Sequence, residues 1–301
     1  MPAAKRRSAA AAAVLLSAAL LAGPGASAAP PGWTLTLEDT FDGPALNASL
    51  WTVASNMTHG PNELQLYLDD EVYLEGGALV LRTRRRSANL NATFVYNYTS
   101  GWVDMNFKFG QREGRWEVVA KLPDPACEAI WPAIWLMNCG GGGGAGATGG
   151  ACSGSEACWP TAGEVDILEM VGQQQNSSAL ATYHWAAECG VDEYDGRQGV
   201  YPNVTGGAAP IDFSQAFHVF ALEWNATALS WFVDGEHVIT RTAGEPRSLF
   251  MPPSPMYLIL NTAVAWWFKS PPTWADTVYF RIDSVRVFER TPPTAASAAD
   301  R

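Results

Sequence analysis

The fold is decided by the stretch Gly163-Glu164-Val165-Asp166-Ile167-Leu168-Glu169, in which three carboxylates stand among aliphatic side chains. Acidic residues between Val, Ile and Leu are costly in a strand unless a function requires them. On a regular strand Glu164 and Asp166 share one face and Glu169 lies on the other. A helix also separates Glu164 from Glu169, by about 140° around its axis. Neither regular structure brings the three acids together.

One irregular geometry does align them. A β-bulge of a single residue at Ile167-Leu168 returns Glu169 to the face of Glu164 and Asp166, and it points Val165 and one of the two bulge residues into the core. Bulges are common beside active sites because they re-aim a side chain. A solvated acidic edge strand or a cation site is the alternative. We disfavour it, since an exposed edge does not need aliphatic residues between its acids.

Two carboxyl groups on either side of one bond are the requirement for hydrolysis of a glycoside, and a retaining enzyme needs them roughly 5–5.5 Å apart. Four strand steps separate the Cα atoms of Glu164 and Glu169 by about 13 Å. Two long side chains on a concave strand close that distance. Asp166 between them has a physical role, because neighbouring carboxylates share a proton and raise a pKa. A raised pKa is what a general acid needs near neutral pH.

The motif and its surroundings resemble glycoside hydrolase family 16 in its laminarinase-like branch, whose members cleave β-1,3-glucans. The family signature in its bulged form is Glu-x-Asp-x-x-Glu, which here runs from Glu164 to Glu169. Similar segments extend along nearly all of the mature chain, at 37–43, 62–67, 114–117, 131–135, 217–235 and 282–287.

The resemblance implies an all-β fold, a β-jelly-roll sandwich of two curved antiparallel sheets with a concave substrate cleft. It implies that Glu164 is the nucleophile, that Glu169 is the acid/base, and that Asp166 assists between them. It also implies a set of substrate-binding side chains along the cleft: Trp159, Trp131, Trp135, His184 and Asn62.

The family's structural calcium site is implied at Asp283 together with a backbone carbonyl near Gly77, because oxygen ligands suit calcium. The proposed chemistry requires no cofactor. Two departures from the family pattern stand out. Thr40 replaces a glutamate in the opening segment, and Trp266-Trp267 stand where many members carry two glycines. Two rings at that place either narrow one end of the cleft or add a stacking platform.

The pattern of residues indicates strands independently of the resemblance. Short aromatic or β-branched segments lie at 33–37, 78–83, 115–120, 230–233 and 278–282, and turn residues separate them. Asp234-Gly235 between two such segments predicts a hairpin. No long amphipathic helix is evident in the mature chain. This pattern predicts an all-β sandwich.

Residues 1–28 are predicted to be a signal peptide, with a basic start, a short apolar run and a small-residue cleavage site at Ala26-Ser27-Ala28. The apolar run at 9–21 is too short to span a bilayer, which takes about 20 residues. Residues 29–290 then form one catalytic domain with a Gly-rich insertion at 139–158, and 291–301 form a disordered tail. We therefore expect a secreted protein, found outside the cell or in the cell wall, with no membrane contact after cleavage.

The formal net charge of −11 argues against nucleic acid or an anionic membrane as a partner. The expected partner is a β-glucan polysaccharide, and the protein is expected to be a monomer. Five cysteines in a secreted chain predict disulfides with one cysteine left over. Seven Asn-x-Ser/Thr sequons together with the signal peptide predict a glycoprotein.

Three functions fit these observations. The first is a retaining endo-glycosidase that hydrolyses β-1,3-glucan or mixed β-1,3/1,4-glucan. The second is a transglycosylase on cell-wall glucan, although many of the plant cell-wall transglycosylases of the family carry the regular motif without the bulge. The third is a β-glucan-binding recognition protein without catalysis. Such proteins typically lose a catalytic glutamate, so the presence of Glu164 and Glu169 favours an enzyme.

Overall fold

A computed structural model describes residues 29–90, 94–139, 159–172, 179–191, 199–200, 211–244, 250–267, 274 and 277–292. The predicted signal peptide, nearly all of the Gly-rich insertion and most of the predicted tail lie outside these residues. Within them the chain forms seventeen strands, one turn of 3-10 helix at Asp69–Glu71 and no α-helix. No helix in this part of the chain is long and apolar enough to cross a membrane.

The strands follow one another in short segments separated by turns. In chain order they are β1 (Trp33–Asp39), β2 (Thr52–Val53), β3 (Gln65–Tyr67), β4 (Val72–Leu74), β5 (Leu79–Asn89), β6 (Val95–Ser100), β7 (Trp102–Asp104), β8 (Gly114–Lys121), β9 (Ile130–Asn138), β10 (Glu164–Met170), β11 (Ala179–His184), β12 (Gly199–Val200), β13 (His218–Asn225), β14 (Ala228–Val233), β15 (Glu236–Thr242), β16 (Met256–Val264) and β17 (Thr277–Arg290).

These strands form two sheets. The larger has ten strands in the order β15-β14-β13-β8-β17-β5-β6-β3, with β1 paired to β17 and β4 paired to β5. The smaller has seven strands in the order β12-β11-β10-β9-β16-β7-β2. Every pair is antiparallel except β3 with β6, among the residues described. The predicted all-β sandwich is confirmed.

The core lies between the two sheets, where the alternation of strand side chains turns every second residue inward. Trp116 of β8 and Trp231 of β14 are almost completely buried on the larger sheet. Ile167 and Leu168 of β10 belong to the same cluster from the smaller sheet. The indole nitrogen of Trp231 donates a hydrogen bond of 2.9 Å to the backbone carbonyl of Asp166, so the larger sheet supports β10 at its motif.

The hairpin predicted at Asp234-Gly235 is confirmed, and it joins β14 to β15. Both turn residues have positive φ, 50° at Asp234 and 83° at Gly235. A two-residue turn with left-handed backbone at both positions matches the twist of the flanking strands. The side chain of Asp234 also accepts a 2.9 Å hydrogen bond from the backbone of Val219, which ties the turn to β13.

The cysteine prediction is tested only in part. Cys127 is the free cysteine in the described part of the chain, and its side chain is half-buried. Burial raises the pKa of its thiol, and the nearby Asp124 carboxylate adds to that effect. Disulfides among the remaining cysteines stay a prediction, since Cys152 and Cys158 lie outside the described residues.

Gly172 lies two residues after the end of β10 and packs closely against another backbone segment, which predicts an effect on stability. A Cβ atom at Gly172 would overlap the carbonyl oxygen of Cys127. We therefore expect Gly172→Ala to lower the free energy of unfolding by about 2–3 kcal/mol or more, because the overlap forces backbone movement. Chemical denaturation measures this change.

Gly60→Ala is the matched control, since the nearest atom to its Cβ is Asn62 N at 4.0 Å. We expect that variant to lie within about 1 kcal/mol of the wild type. Equal stability of the two alanine variants would contradict the packing of Gly172 against Cys127.

Candidate active site

The three acids lie on β10, where the strand contains one extra residue. Asp166 pairs with Thr182 of β11, whereas Glu169 pairs with Leu180. Three steps along β10 therefore face two steps along β11. The register against β9 shifts within the same segment. The bulge predicted at Ile167-Leu168 is confirmed.

The bulge sorts the side chains of the motif between core and cleft. Ile167 and Leu168 are both fully buried. The prediction that only one of them would point into the core was therefore wrong. Two consecutive residues can point inward because the bulge interrupts the alternation of the strand. Glu164 and Glu169 remain partly exposed on the other face, and Asp166 between them is 2% exposed.

A cleft lies on this face of the smaller sheet. Side chains from β9, β10, β16 and the segment before β3 line it. Ala133 of β9 pairs with Glu169 on one side and Asn261 of β16 on the other, so a small side chain leaves room above the sheet beside the acids. The lining residues are His59, Glu63, Trp131, Ala133, Trp135, Glu164, Asp166, Glu169, Asn261 and Ala263.

Glu164, the expected nucleophile, is bound by Trp159 and lies opposite His184. The indole nitrogen of Trp159 donates a 2.9 Å hydrogen bond to its Oε2 atom. His184 lies opposite Glu164 in the register of β11, and its Nε2 atom is 3.3 Å from Oδ2 of Asp166. The rings of Trp159 and His184 are 5.8 Å apart. Trp159 is 41% exposed beside Glu164, and neither Trp159 nor His184 is among the residues that line the cleft.

Glu169, the expected acid/base, has a corresponding indole partner. Trp131 of β9 donates a 2.9 Å hydrogen bond from its indole nitrogen to Oε1 of Glu169. The ring of Trp131 packs edge to face against Trp267 at 5.1 Å. Each glutamate of the motif is therefore oriented by one tryptophan that the sequence predicted as a cleft residue.

Burial is the main cause that raises the pKa of both glutamates, to about 8 for Glu169 and to about 7 for Glu164. The charge of Asp166 is the second cause in each case, and His184 and the indole hydrogen bonds act in the opposite direction. Because the carboxyls interact, they titrate as a group. Both carboxyls therefore have pKa values raised toward neutral pH, which suits acid–base chemistry there.

A chain of hydrogen bonds fixes the floor of the cleft. Trp135 donates to Asn261 at 2.8 Å, and Asn261 donates to the hydroxyl of Tyr67 at 3.0 Å. That hydroxyl donates to Glu63 at 2.9 Å, and Glu63 also lies 3.0 Å from Nδ1 of His59. A connected polar network of this kind holds its members in one arrangement.

Sequence reasoning missed His59, Glu63 and Asn261 as cleft residues. A signal for Glu63 was present, because it follows Asn62 in a segment that resembles the family. No spacing in the sequence links His59 or Asn261 to the motif, since each reaches the cleft only through the pairing of strands distant in the chain.

Asn62 is not among the residues that line the cleft beside the acids. Its side chain accepts a 2.7 Å hydrogen bond from the indole of Trp266, and its backbone carbonyl accepts one of 3.1 Å from the same residue. Trp266 is 53% exposed. Asn62 therefore orients an exposed ring beyond the lining residues, and a direct contact with sugar stays a prediction.

The expected calcium residues Asp283 and Gly77 each lie near Asp42. Oδ1 of Asp42 is 3.3 Å from the position that a Cβ atom on Gly77 would take. Burial raises the pKa of Asp283, and the charge of Asp42 adds to this effect. Two carboxylates and a backbone segment are oxygen donors of the type that calcium binds. The ion itself stays a prediction.

Residues 51–281 match the model of the glycosyl hydrolases family 16. The chain belongs to this family. It is 31% identical to a glucan endo-1,3-β-glucosidase of Cryptopygus antarcticus, over 68% of this chain and 67% of that protein. It is also 31% identical to a β-1,3-glucan-binding protein of Penaeus monodon, over 48% of this chain and 35% of that protein.

A solved structure with the same fold is the catalytic domain of an endo-1,3-β-glucanase (laminarinase) from Thermotoga petrophila. It aligns with a TM-score of 0.69 and 27% identity, over 86% of this chain and 99% of that chain. This likeness confirms the β-jelly roll of the family. The chain spans 38%, 67% and 30% of the length of three curated relatives that it matches.

The hydrogen bond from Trp131 predicts a change in the titration of Glu169. The bond stabilises the ionised carboxylate, so its removal favours the protonated form. We expect Trp131→Phe to raise the pKa of Glu169 by about half to one pH unit, the equivalent of one hydrogen bond. Titration of ¹³C-labelled glutamate carboxyls by NMR measures the pKa.

Trp267→Phe is the control, because Trp267 packs on Trp131 and the hydrogen bond to Glu169 comes from Trp131. That variant should leave the titration of Glu169 within the error of the wild type. A pKa that falls in Trp131→Phe would show that the indole acts on the carboxyl in the opposite sense.

Proposed function

We propose that the protein is a secreted retaining endo-glycosidase that hydrolyses β-1,3-glucan or mixed β-1,3/1,4-glucan. The observation that supports this most strongly is the pair Glu164 and Glu169. Both carboxyls stand on one face of a bulged strand, both pKa values are raised, and a different indole binds each of them.

In the first step, the carboxylate of Glu164 attacks the anomeric carbon of the bound sugar. Glu169 donates its proton to the glycosidic oxygen as the carbon–oxygen bond breaks. The leaving chain departs with a new hydroxyl group, and the remaining sugar is held as an ester of Glu164. In the second step, Glu169 takes a proton from water, whose oxygen attacks the anomeric carbon and releases Glu164. Both side chains then return to their starting states.

Asp166 supports both steps through its charge. It lies between the two glutamates on the cleft face and raises the pKa of each. This favours a proton on Glu169 before the first step. When Glu164 becomes a neutral ester, one negative charge disappears from the group, so the pKa of Glu169 falls and it is better able to act as a base.

The cleft suits a neutral polymer bound along its length. Trp131 lines the cleft and Trp159 is exposed beside Glu164, and aromatic faces pack against the apolar faces of sugar rings. The net charge of −11 disfavours polyanionic polysaccharides. The name of the Cryptopygus antarcticus relative, a glucan endo-1,3-β-glucosidase, supports the same substrate class.

The remaining expectations belong to this proposal. The protein acts outside the cell or in the cell wall as a glycosylated, disulfide-bonded monomer, after removal of its signal peptide. It needs no cofactor for the reaction. A structural calcium ion at Asp283 and Gly77, with Asp42 beside them, would stabilise the larger sheet and take no part in the chemistry.

A product profile tests the proposed function. The secreted protein is incubated with laminarin, mixed-linkage glucan, xyloglucan, agarose and carrageenan, and oligosaccharides are followed with time. Early release of medium-length oligomers from laminarin supports the endo-hydrolase. Products longer than the starting chains indicate a transglycosylase, and binding without any products indicates a recognition protein.

Glu164→Gln should lower turnover of laminarin by at least about a thousandfold, because the amide cannot attack the anomeric carbon. The change keeps the shape of the side chain, so calorimetry should show nearly unchanged glucan binding. Glu75→Gln is the control, since Glu75 pairs with Arg281 on the surface of the other sheet. Turnover by Glu164→Gln that is close to the wild-type rate contradicts the assignment of the nucleophile.

The bulge predicts different results for two deletions that each remove one fully buried aliphatic residue. Deletion of Leu168 leaves Glu164, Asp166 and Glu169 at alternate positions, which share one face of a regular strand. Deletion of Val165 places Glu164 next to Asp166, on the opposite face. We expect the first variant to keep measurable hydrolysis of laminarin and the second to lose it.

Loss of the buried side chain alone is expected to cost about 2–5 kcal/mol of stability in each deletion, and the shifted strand pairing adds to this cost. Circular dichroism below the melting temperature therefore has to confirm that both variants are folded in the assay. Greater activity in the Val165 deletion than in the Leu168 deletion would mean that alignment of the acids does not limit the reaction.

A further inference from the structure

Glu164, Asp166 and His184 form a compact group of side chains with metal-binding atoms. One such atom from each lies within 4.8 Å of the other two. Asp166 Oδ2 and His184 Nε2 are 3.3 Å apart. The pairing of β10 with β11 produces the group, because it places His184 opposite Glu164, and Asp166 follows on the same face.

The Oδ2 atom of Asp166 accepts no hydrogen bond within this group. It is buried without a hydrogen-bond partner among the described residues, and the whole residue is 2% exposed. A buried carboxylate oxygen without a donor or a cation is costly. Either a proton on His184, whose Nε2 atom is 3.3 Å away, or a metal ion between the carboxylate and the imidazole compensates this oxygen.

The distances suit a small transition-metal ion. Zinc binds nitrogen and oxygen ligands at about 2.0–2.1 Å, which places the ligand atoms of a tetrahedral site about 3.3–3.4 Å apart. Asp166 and His184 already have this spacing. A carboxylate oxygen of Glu164 lies within 4.8 Å of both ligand atoms. One imidazole with two carboxylates suits zinc, copper or cobalt better than magnesium or calcium.

We propose that Glu164, Asp166 and His184 bind one divalent transition-metal ion, and that the bound ion inhibits the enzyme in competition with glucan. Three protein ligands leave a fourth position that faces the cleft, where water completes the coordination. The ion binds the carboxylate of Glu164, which then cannot attack the sugar. Metal binding is independent of the proposed function, whereas the competition rests on it.

Calorimetric titration of the untagged secreted protein with Zn²⁺ tests the site, together with the melting temperature in Zn²⁺ and in Mg²⁺. We expect one Zn²⁺ per molecule, a higher melting temperature in Zn²⁺, and no such increase in Mg²⁺. His184→Gln should lower the affinity for Zn²⁺ by at least about a hundredfold, because it removes the nitrogen ligand. The melting temperature of that variant without metal shows whether it is folded.

Two control variants separate this site from other zinc ligands. His218→Gln removes a histidine that lies 2.7 Å from Asp234 on the larger sheet. Cys127→Ser removes the free thiol. Both controls should bind Zn²⁺ as the wild type does. Absence of binding in the wild type, binding that survives His184→Gln, or binding that is lost in Cys127→Ser overturns the proposal.

Inhibition is measured with laminarin at a Zn²⁺ concentration ten times the calorimetric Kd. Competition predicts an apparent KM about tenfold higher and an unchanged kcat. A lower kcat with an unchanged KM overturns the competitive part. If the protein binds Zn²⁺ through His184 but hydrolyses no glucan, the metal site stands and the proposed function fails. If it hydrolyses glucan but binds no Zn²⁺, the proposed function stands and the metal site fails.

Discussion

The site depends on a single extra residue in β10, between Asp166 and Glu169. Without it, a strand with this sequence would point Glu169 away from the other two acids. The bulge is held from the core side, where Ile167 and Leu168 are fully buried, and from the larger sheet, where Trp231 bonds to the backbone of Asp166. The alignment of three carboxylates thus results from packing on the opposite face of the strand.

This alignment has an electrostatic cost that the surrounding residues limit but do not remove. Three carboxyls on one face repel one another, and burial raises the pKa of Glu164 and Glu169 further. Indole donors from Trp159 and Trp131, and the ring of His184, oppose these effects. The balance leaves titratable groups near neutral pH, which suits acid–base chemistry. It also leaves the buried oxygen of Asp166 without a hydrogen bond, which is the basis for a metal ligand.

The cleft floor combines a fixed polar network with open space above the sheet. Alanine at 133 and 263 leaves space above the sheet, while Asn261, Tyr67 and Glu63 form a fixed polar network beside it. The network joins Asn261 on β16 of the smaller sheet to Tyr67 on β3 of the larger sheet, so it forms only when the two sheets are packed together. Proteins often keep polar groups of this kind at functional sites and compensate for their cost elsewhere in the fold.

The sequence by itself determined the all-β class, the Asp234-Gly235 hairpin, the bulge and the three acids, because period-2 patterning, turn preferences and a short motif are local properties. It also pointed to Trp131 and Trp159 through the resemblance. Only the tertiary structure decided that Glu63, His59 and Asn261 share the cleft and that Asn62 turns toward Trp266. These contacts join residues that are far apart in the chain, and their geometry follows from strand register, which no local pattern specifies.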